Sequence, residues 1–335
     1  MTRSTARGWT RAAALAVTAG ITVVLTPGLA PAAPPATADQ ARQAVVDAGA
    51  QLREIDEQVH EAEATAEQQQ AAAAAAGQAA AQAQVAVDAL APQLRAIAYA
   101  GYTGSTRTKI AAFLTSSSAD DLIQQLSTLD RLAVHADGVV ARVAVARDAA
   151  TEAQAAAAAA AAAATAAAAE LAERKEVLED ELAGFEADLA RLTAADQVRV
   201  QNTLSGPVLN AANPAPAPTA AAGAAVQTAL GQLGDRYVPG ATGPDAFDCS
   251  GLTTYAYAAA GITLPRSSRA QSTIGVPVSR ADLQPGDLVF FYTPISHVGL
   301  YIGNGQMVHA SVPGRPVAVT SVDKGGYVKA VRVTA

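Results

Sequence analysis

The sequence predicts a multidomain chain in which an N-terminal all-α coiled-coil hairpin precedes a small C-terminal α+β domain with an antiparallel sheet. Three observations predict it. Apolar residues recur three and four apart through an alanine-rich region, residues 39–204. A Pro/Ala tract, "SGPVLNAANPAPAPTAAA", occupies 205–222. Beyond it, over 223–335, the vocabulary shifts to Gly, Tyr and Val in period-2 runs. Aromatic residues make up only 4% of the chain, too few bulky side chains for one large core.

Residues 1–38 read as a secretory signal peptide. "MTRSTARGWTR" carries Arg3, Arg7 and Arg11 and no acid, and an apolar run from Ala12 to Leu25 follows. Small residues and prolines come next, with cleavage expected near Ala32 or Ala38. The apolar run falls short of the roughly 20 residues that span a bilayer, and no later segment is read as a membrane span. The mature protein is therefore expected outside the cell, secreted or associated with the wall.

The helical region begins with Val45, Ala48, Leu52, Ile55, Val59, Ala62 and Ala66, an alternating three-four seam. Pro92 predicts a kink. "YAGYTGSTRT" breaks the pattern, and Ser118 with Asp121 predicts a capped restart. Leu178, Leu182, Phe185, Leu189 and Leu192 resume the seam, and the alanine tract between is read as stiff helix. An antiparallel hairpin with a small cap around 100–120 is the economical arrangement; a coiled-coil dimer, and so self-association, is the alternative. The linker is expected to be stiff polyproline II, without helix or sheet pairing.

Charge is uneven. Residues 39–219 hold 24 acids against 12 bases, residues 220–335 hold 6 against 8, and the whole chain is at −7. Neither part is basic enough to suggest nucleic acid.

In the last third, "AAVQTALGQLG" reads as a short helix ended by Gly, and "DCSGLTTYAYAAAG" as a second, with Asp248 as N-cap and Gly261 after its end. "PGDLVFF", "HVGLYIG" and "QMVHAS" read as strands, with "GNG" as a hairpin turn, and "PVAVTSV" and "VKAVRV" could add two more.

Cys249 is the chain's single cysteine, so it forms no internal disulfide. It lies at a predicted helix start, where backbone N–H groups and the dipole favour a thiolate and lower its pKa. His297 lies seven positions before Asn304 and His309 five after it, so the hairpin brings the two close if it holds a bulge. Thiol, base and base-orienting group are the parts of cysteine catalysis. The plainer readings are a buried, inert Cys and structural strand histidines. The other two histidines, His60 and His135, sit in the helical region without such company. Zinc on one Cys and two His is the competing chemistry, but the spacings match no ligand pattern.

"FDCSGLTTYAYAAAGITLPRSSRAQ" and "LQPGDLVFFYTPISHVGLYIGNGQMVHAS" resemble the NlpC/P60 family of cell-wall cysteine peptidases, over roughly residues 224–335. The layout of export signal, helical region and this domain resembles the exported actinobacterial Rip-type peptidoglycan endopeptidases. The resemblance implies a papain-like α+β domain that needs no cofactor or metal and cleaves peptidoglycan stem peptides, usually between D-γ-glutamate and meso-diaminopimelate. By motif position it implies Cys249 as nucleophile, His297 as base and His309 as the orienting residue. Tyr237, Asp248 and Ser250 would line the substrate site, and Arg266 and Ser267 are either substrate-binding or structural. The Tyr237 hydroxyl and the Cys249 N–H would stabilise the oxyanion. The family's usual Y-x-W-G-G is here "YVPGA", with Pro239 and Ala241 as departures. The helical region is expected to regulate the enzyme, or to dock on a membrane division complex. An amidase cutting the sugar–peptide link, or a non-catalytic wall scaffold, are the alternatives.

Overall fold

The structure is a computed structural model and describes residues 37–102 and 109–334; the export reading of residues 1–36 lies outside the described residues. Among the described residues the arm comprises α1 (Ala38–Tyr102), α2 (Lys109–Thr115), α3 (Ala119–Arg191) and α4 (Ala194–Ser205). Helix α1 continues through Pro92. Ser118 caps α3 by accepting from the Asp121 N–H, and the Asp121 carboxylate accepts from the Ser117 N–H, closing a reciprocal cap.

Helices α1 and α3 pack side by side and run antiparallel, because rising numbers on one meet falling numbers on the other. Gln51 meets Glu181, Gln58 meets Arg174, Gln84 meets Gln154, and Gln93 meets Arg142. By length and composition α3 is apolar enough to cross a membrane, contrary to the sequence reading; its alanine tract supplies that character, and the helix lies along α1. The sequence places residues up to 204 in the helical region and marks no break there, whereas the chain turns at Leu192 and restarts as α4. Thr193 is the reason: its hydroxyl oxygen accepts from the Asp196 N–H at 3.2 Å and its O–H donates to that carboxylate at 2.8 Å. Helix α4 folds back against the base of α1, and Leu52, Val59, Phe185, Leu189, Val200 and Leu204 form a core that extends to Val312 of the C-terminal domain.

The Pro-rich segment differs from expectation. It makes no regular structure over 206–218, but it is tied to the sheet edge, with the Leu209 N–H donating to the Val319 carbonyl and the Ala215 N–H to that of Ile302. Prolines lack a donor, but the residues between them keep theirs. Helix α5 (Ala220–Leu230) starts inside this tract, with Thr219 as N-cap.

The C-terminal domain continues with β1 (Arg236–Tyr237), β2 (Ala246–Phe247), α6 (Cys249–Ala258), α7 (Ser268–Gln271), β3 (Val276–Val278), β4 (Leu288–Phe291), β5 (His297–Gly303), β6 (Gln306–His309), β7 (Ala318–Ser321) and β8 (Tyr327–Arg332). Strands β3 to β8 form an antiparallel sheet in the order β3-β8-β4-β5-β6-β7. Helices α5 and α6 cover one face, burying Val226, Leu252, Tyr257, Leu288, Phe290 and Leu300. Strands β4 and β5 are buried on both faces, since Val289, Phe291 and Tyr301 pack with Met307 and Ala330 on the other side. Such continuous apolar runs need cover on both faces.

Candidate active site

Asp248 starts α6. Its Oδ1 accepts from the Gly251 N–H at 2.7 Å, which fixes Cys249 in the first turn. Gly251 is required by close approach: a Cβ there would stand 2.1 Å from the Ala241 carbonyl oxygen. That carbonyl also accepts from the Asp248 N–H at 2.9 Å, so the departure at Ala241 lies in backbone contact with the nucleophile's turn.

Strand β5 runs beside α6, and the Val298 N–H is directed at the Cys249 sulfur. The neighbouring His297 is 1% exposed, and so is His309 on β6. The β5–β6 register shifts between Tyr301 and Gly303, the bulge the spacing requires, and His297 Nε2 meets His309 Nδ1 at 2.8 Å. His309 Nε2 in turn meets the Thr320 hydroxyl at 3.2 Å on β7. His297 Nδ1 is buried without a hydrogen-bond partner. Burial, with Lys324 as the next cause, holds both imidazoles well below the usual histidine range, so they are neutral at pH 7.

The thiol departs from the sequence expectation. Burial, then Asp248, Glu57 and Asp56, push Cys249 up instead of down, overriding the helix start. Two of those carboxylates come from the arm. Helix α1 lies across the cleft with Arg53, Asp56, Glu57 and His60 all buried. The Tyr237 hydroxyl donates to Asp56 at 3.3 Å. Glu57 accepts from the Ser268 N–H at 3.1 Å, the Ser268 hydroxyl at 2.7 Å and the Arg269 N–H at 2.7 Å. His60 Nε2 meets Asp248 Oδ2 at 3.1 Å, so the reading of His60 as remote from the chemistry is corrected. Arg269 pairs with Glu61 at 2.7 Å and Glu54 at 3.1 Å on the same helix.

The remaining expected residues form one network. Arg266 binds both oxygens of Asp248 and donates to the Ser250 hydroxyl at 2.9 Å, and Ser250 donates to Asp248 at 3.2 Å. Ser267 caps α7 by accepting from the Ala270 N–H at 3.0 Å. Ser268 and Arg269, one and two positions on, are the residues the arm engages.

Asp56, His60 and Asp248 bring three ligand-type atoms within 4.8 Å. Arg266 already neutralises Asp248, so a metal cation there would face a like charge. The arm residues escaped sequence reasoning because their spacing, 53, 56, 57 and 60, is that of a helix face, and a charged face is normally solvated. The one available signal was a histidine inside it.

Residues 234–334 match the NlpC/P60 family. Over 103 residues, 31% of this chain and 27% of the other, the sequence is 52% identical to a probable endopeptidase of Mycobacterium tuberculosis. Over 117 residues, 35% of this chain and 56% of the other, it is 47% identical to a probable endopeptidase of Corynebacterium glutamicum. The chain thus spans 27% and 56% of the lengths of these curated relatives. Among solved structures, the P60 domain of an M. avium subspecies paratuberculosis antigen is 32% identical, over 34% of this chain and 96% of that one, with a TM-score of 0.33. The peptidoglycan hydrolase RipB of Mycobacterium tuberculosis is 30% identical, over 44% of this chain and 71% of that one, with a TM-score of 0.32. Residues 234–334 are thus an NlpC/P60 domain.

Proposed function

We propose that the protein is an exported peptidoglycan hydrolase, a cysteine endopeptidase that cleaves stem peptides between D-γ-glutamate and meso-diaminopimelate in wall remodelling or daughter-cell separation, and that its arm holds it closed. The observation that carries the reading is the convergence of the only thiol, on a helix start, with two buried histidines joined at 2.8 Å on the adjacent hairpin.

Neutral His297 takes the thiol proton as Cys249 attacks the γ-glutamyl carbonyl, and His309 holds the ring through its Nε2. The oxyanion gains the Cys249 N–H, worth about 3 kcal/mol per donor in such sites. His297 then protonates the leaving amine, and the thioester is hydrolysed by water that His297 activates. In the closed chain Asp56 occupies the Tyr237 hydroxyl, and the arm carboxylates oppose thiolate formation. Displacing α1 uncovers the cleft and removes both restraints.

Mass analysis of muropeptides after digestion of purified peptidoglycan tests this. Fragments ending in D-glutamate are expected. Free sugar strands with whole stem peptides would point to an amidase instead. Activity unchanged in Cys249→Ala would sink any thiol mechanism, and no cleavage by a chain with the arm displaced would leave the wall-scaffold reading.

A further inference from the structure

The arm crosses the cleft from one end to the other, and its far end rests on residues that the proposed reaction has not used. Between Arg53 and His60 helix α1 advances about 10 Å. At the His60 end lie Asp248, Arg266 and Tyr237. At the other end the Arg53 guanidinium sits 4.6 Å above the centre of the Tyr292 ring. Cys249 lies between, close enough to feel both Asp56 and Lys324. The two ends are chemically distinct. Tyr292 and Lys324 flank His297: the Tyr292 and His297 ring centres are 6.3 Å apart, and Lys324 is the largest charge acting on His297. A base that must hand its proton to the leaving amine faces the leaving side of the scissile bond. Tyr292 and Lys324 are therefore on that side, and Asp248 and Arg266 on the acyl side.

Lys324 is built in and has no carboxylate partner among the described residues. Its Nζ donates to the Tyr292 hydroxyl at 2.7 Å and lies 4.4 Å from the centre of the Phe291 ring. The charge that acts on it most is another cation, Arg53, ahead of the opposing Cys249 thiol. Burial and that cation lower its pKa to about 7. Arg53 is itself 6% exposed, with Nε and Nη1 lacking partners. Arg53, buried, and Lys324, half-buried, thus act on each other with no carboxylate paired to Lys324, an arrangement that disfavours the charged lysine in the closed chain. The Tyr292 O–H meanwhile donates to the Leu204 carbonyl of α4 at 3.2 Å, so displacing the arm frees it too. Tyr292 holds this pose with φ at 71°, a left-handed backbone that a bulky residue adopts only when its surroundings compel it. A cavity of about 390 Å³ already opens beside it, between Arg53, Leu204 and Pro294.

We propose that Lys324 and the Tyr292 hydroxyl form a carboxylate-binding subsite on the leaving side of the cleft, which takes the side-chain carboxylate of the diamino acid released by cleavage. Resting on the endopeptidase reading, it makes Lys324 a specificity residue. The carboxylate takes the place of the Leu204 carbonyl on the Tyr292 O–H and supplies the carboxylate partner that Lys324 lacks.

The test uses the full chain carrying Glu57→Ala and His60→Ala, its open cleft verified by alkylation of Cys249. Three stem peptides are compared, with diaminopimelate bearing a free side carboxylate, with that carboxylate amidated, and with lysine in its place. The free carboxylate should be preferred roughly tenfold or more in kcat/KM, carried by KM, the scale of a charge-assisted hydrogen bond. Lys324→Met should bring the ratio near one and Lys324→Arg should retain it, a pattern that a merely structural lysine would not produce. Equal cleavage of all three peptides, or a preference that survives Lys324→Met, overturns the assignment while leaving the endopeptidase reading intact. An alkylatable chain that cleaves none of them overturns both.

Discussion

The two ends of helix α1 are built on opposite terms. Every residue that α1 buries lies between Val45 and His60; past that point the described side chains are exposed or half-buried. In the long outer part, alanines let α1 and α3 approach, and polar pairs such as Gln84–Gln154 decorate an exposed surface. In the short inner part, Arg53, Asp56, Glu57 and His60 are 6%, 4%, 3% and 1% exposed. Burying charge is expensive and is tolerated where partners are in place. Those partners are Tyr237, Asp248, Ser268 and Arg269, all around the candidate nucleophile. One helix is thus a spacer over most of its length and, in the proposed function, a latch over two turns.

The sharpest way to break this contrast is Glu57→Ala. It strips three hydrogen bonds from the closed state, while the Ser268 and Arg269 donors recover water on opening. Hydrogen bonds to a charged group contribute about 1.5–3 kcal/mol each. Cys249 alkylation and peptidoglycan hydrolysis should both rise at least tenfold; unchanged alkylation would mean that the arm does not close the cleft.

A second test reads the latch through pH. Burial, then Asp248, holds Asp56 well above the usual carboxylate range, against the opposing pull of Arg266 and the Tyr237 hydroxyl, with Glu57 adding to the rise. Closure therefore binds a proton. Its contribution is complete below the ordinary carboxylate pKa and is lost as pH rises through the raised value. Cys249, also raised, has the same sign. His60 is lowered by burial and has the opposite sign, its contribution being lost as pH falls below the ordinary histidine range. Above pH 7 His60 is neutral in both states, and Lys324, which burial and then Arg53 lower to about 7, opposes the acids because closure releases its proton. Asp56→Asn should close the arm more firmly there, slowing Cys249 alkylation several-fold at pH 8 and flattening its rise with pH. Faster alkylation in Asp56→Asn would reverse the assigned sign.

Smaller effects separate the base of the arm from its length. Thr193→Ala removes the cap that starts α4 and should cost about 1 kcal/mol in denaturant unfolding. Gln84→Ala, in the outer part, should change neither stability nor alkylation measurably, because exposed side-chain pairs contribute little. A release of activity by Gln84→Ala would erase the distinction between spacer and latch.

Much of the candidate site is legible in the sequence because it is local. Asp248 as N-cap, Cys249 in the first turn and the two histidines on one hairpin follow from spacing and cap preferences within about 60 residues. The turn at Thr193 does not stand out in the sequence, because one capping residue decides it within a helical region rich in alanine. The thiol's direction of shift was misread for a different reason. A helix start lowers a pKa over one turn, whereas burial beneath Asp56 and Glu57 depends on a segment 192 residues away.

By itself the sequence determined the order of regions, the helical character of the arm, and a domain carrying Cys249, His297 and His309. These rest on periodicity, capping and hairpin geometry, which act between neighbours. Only the tertiary structure decided that α1 crosses the cleft, that His60 meets Asp248, and that Lys324 acts on His297 with no carboxylate paired to it among the described residues. Those facts depend on which faces meet, and a charged helical face reads the same along the chain whether it meets water or an active site.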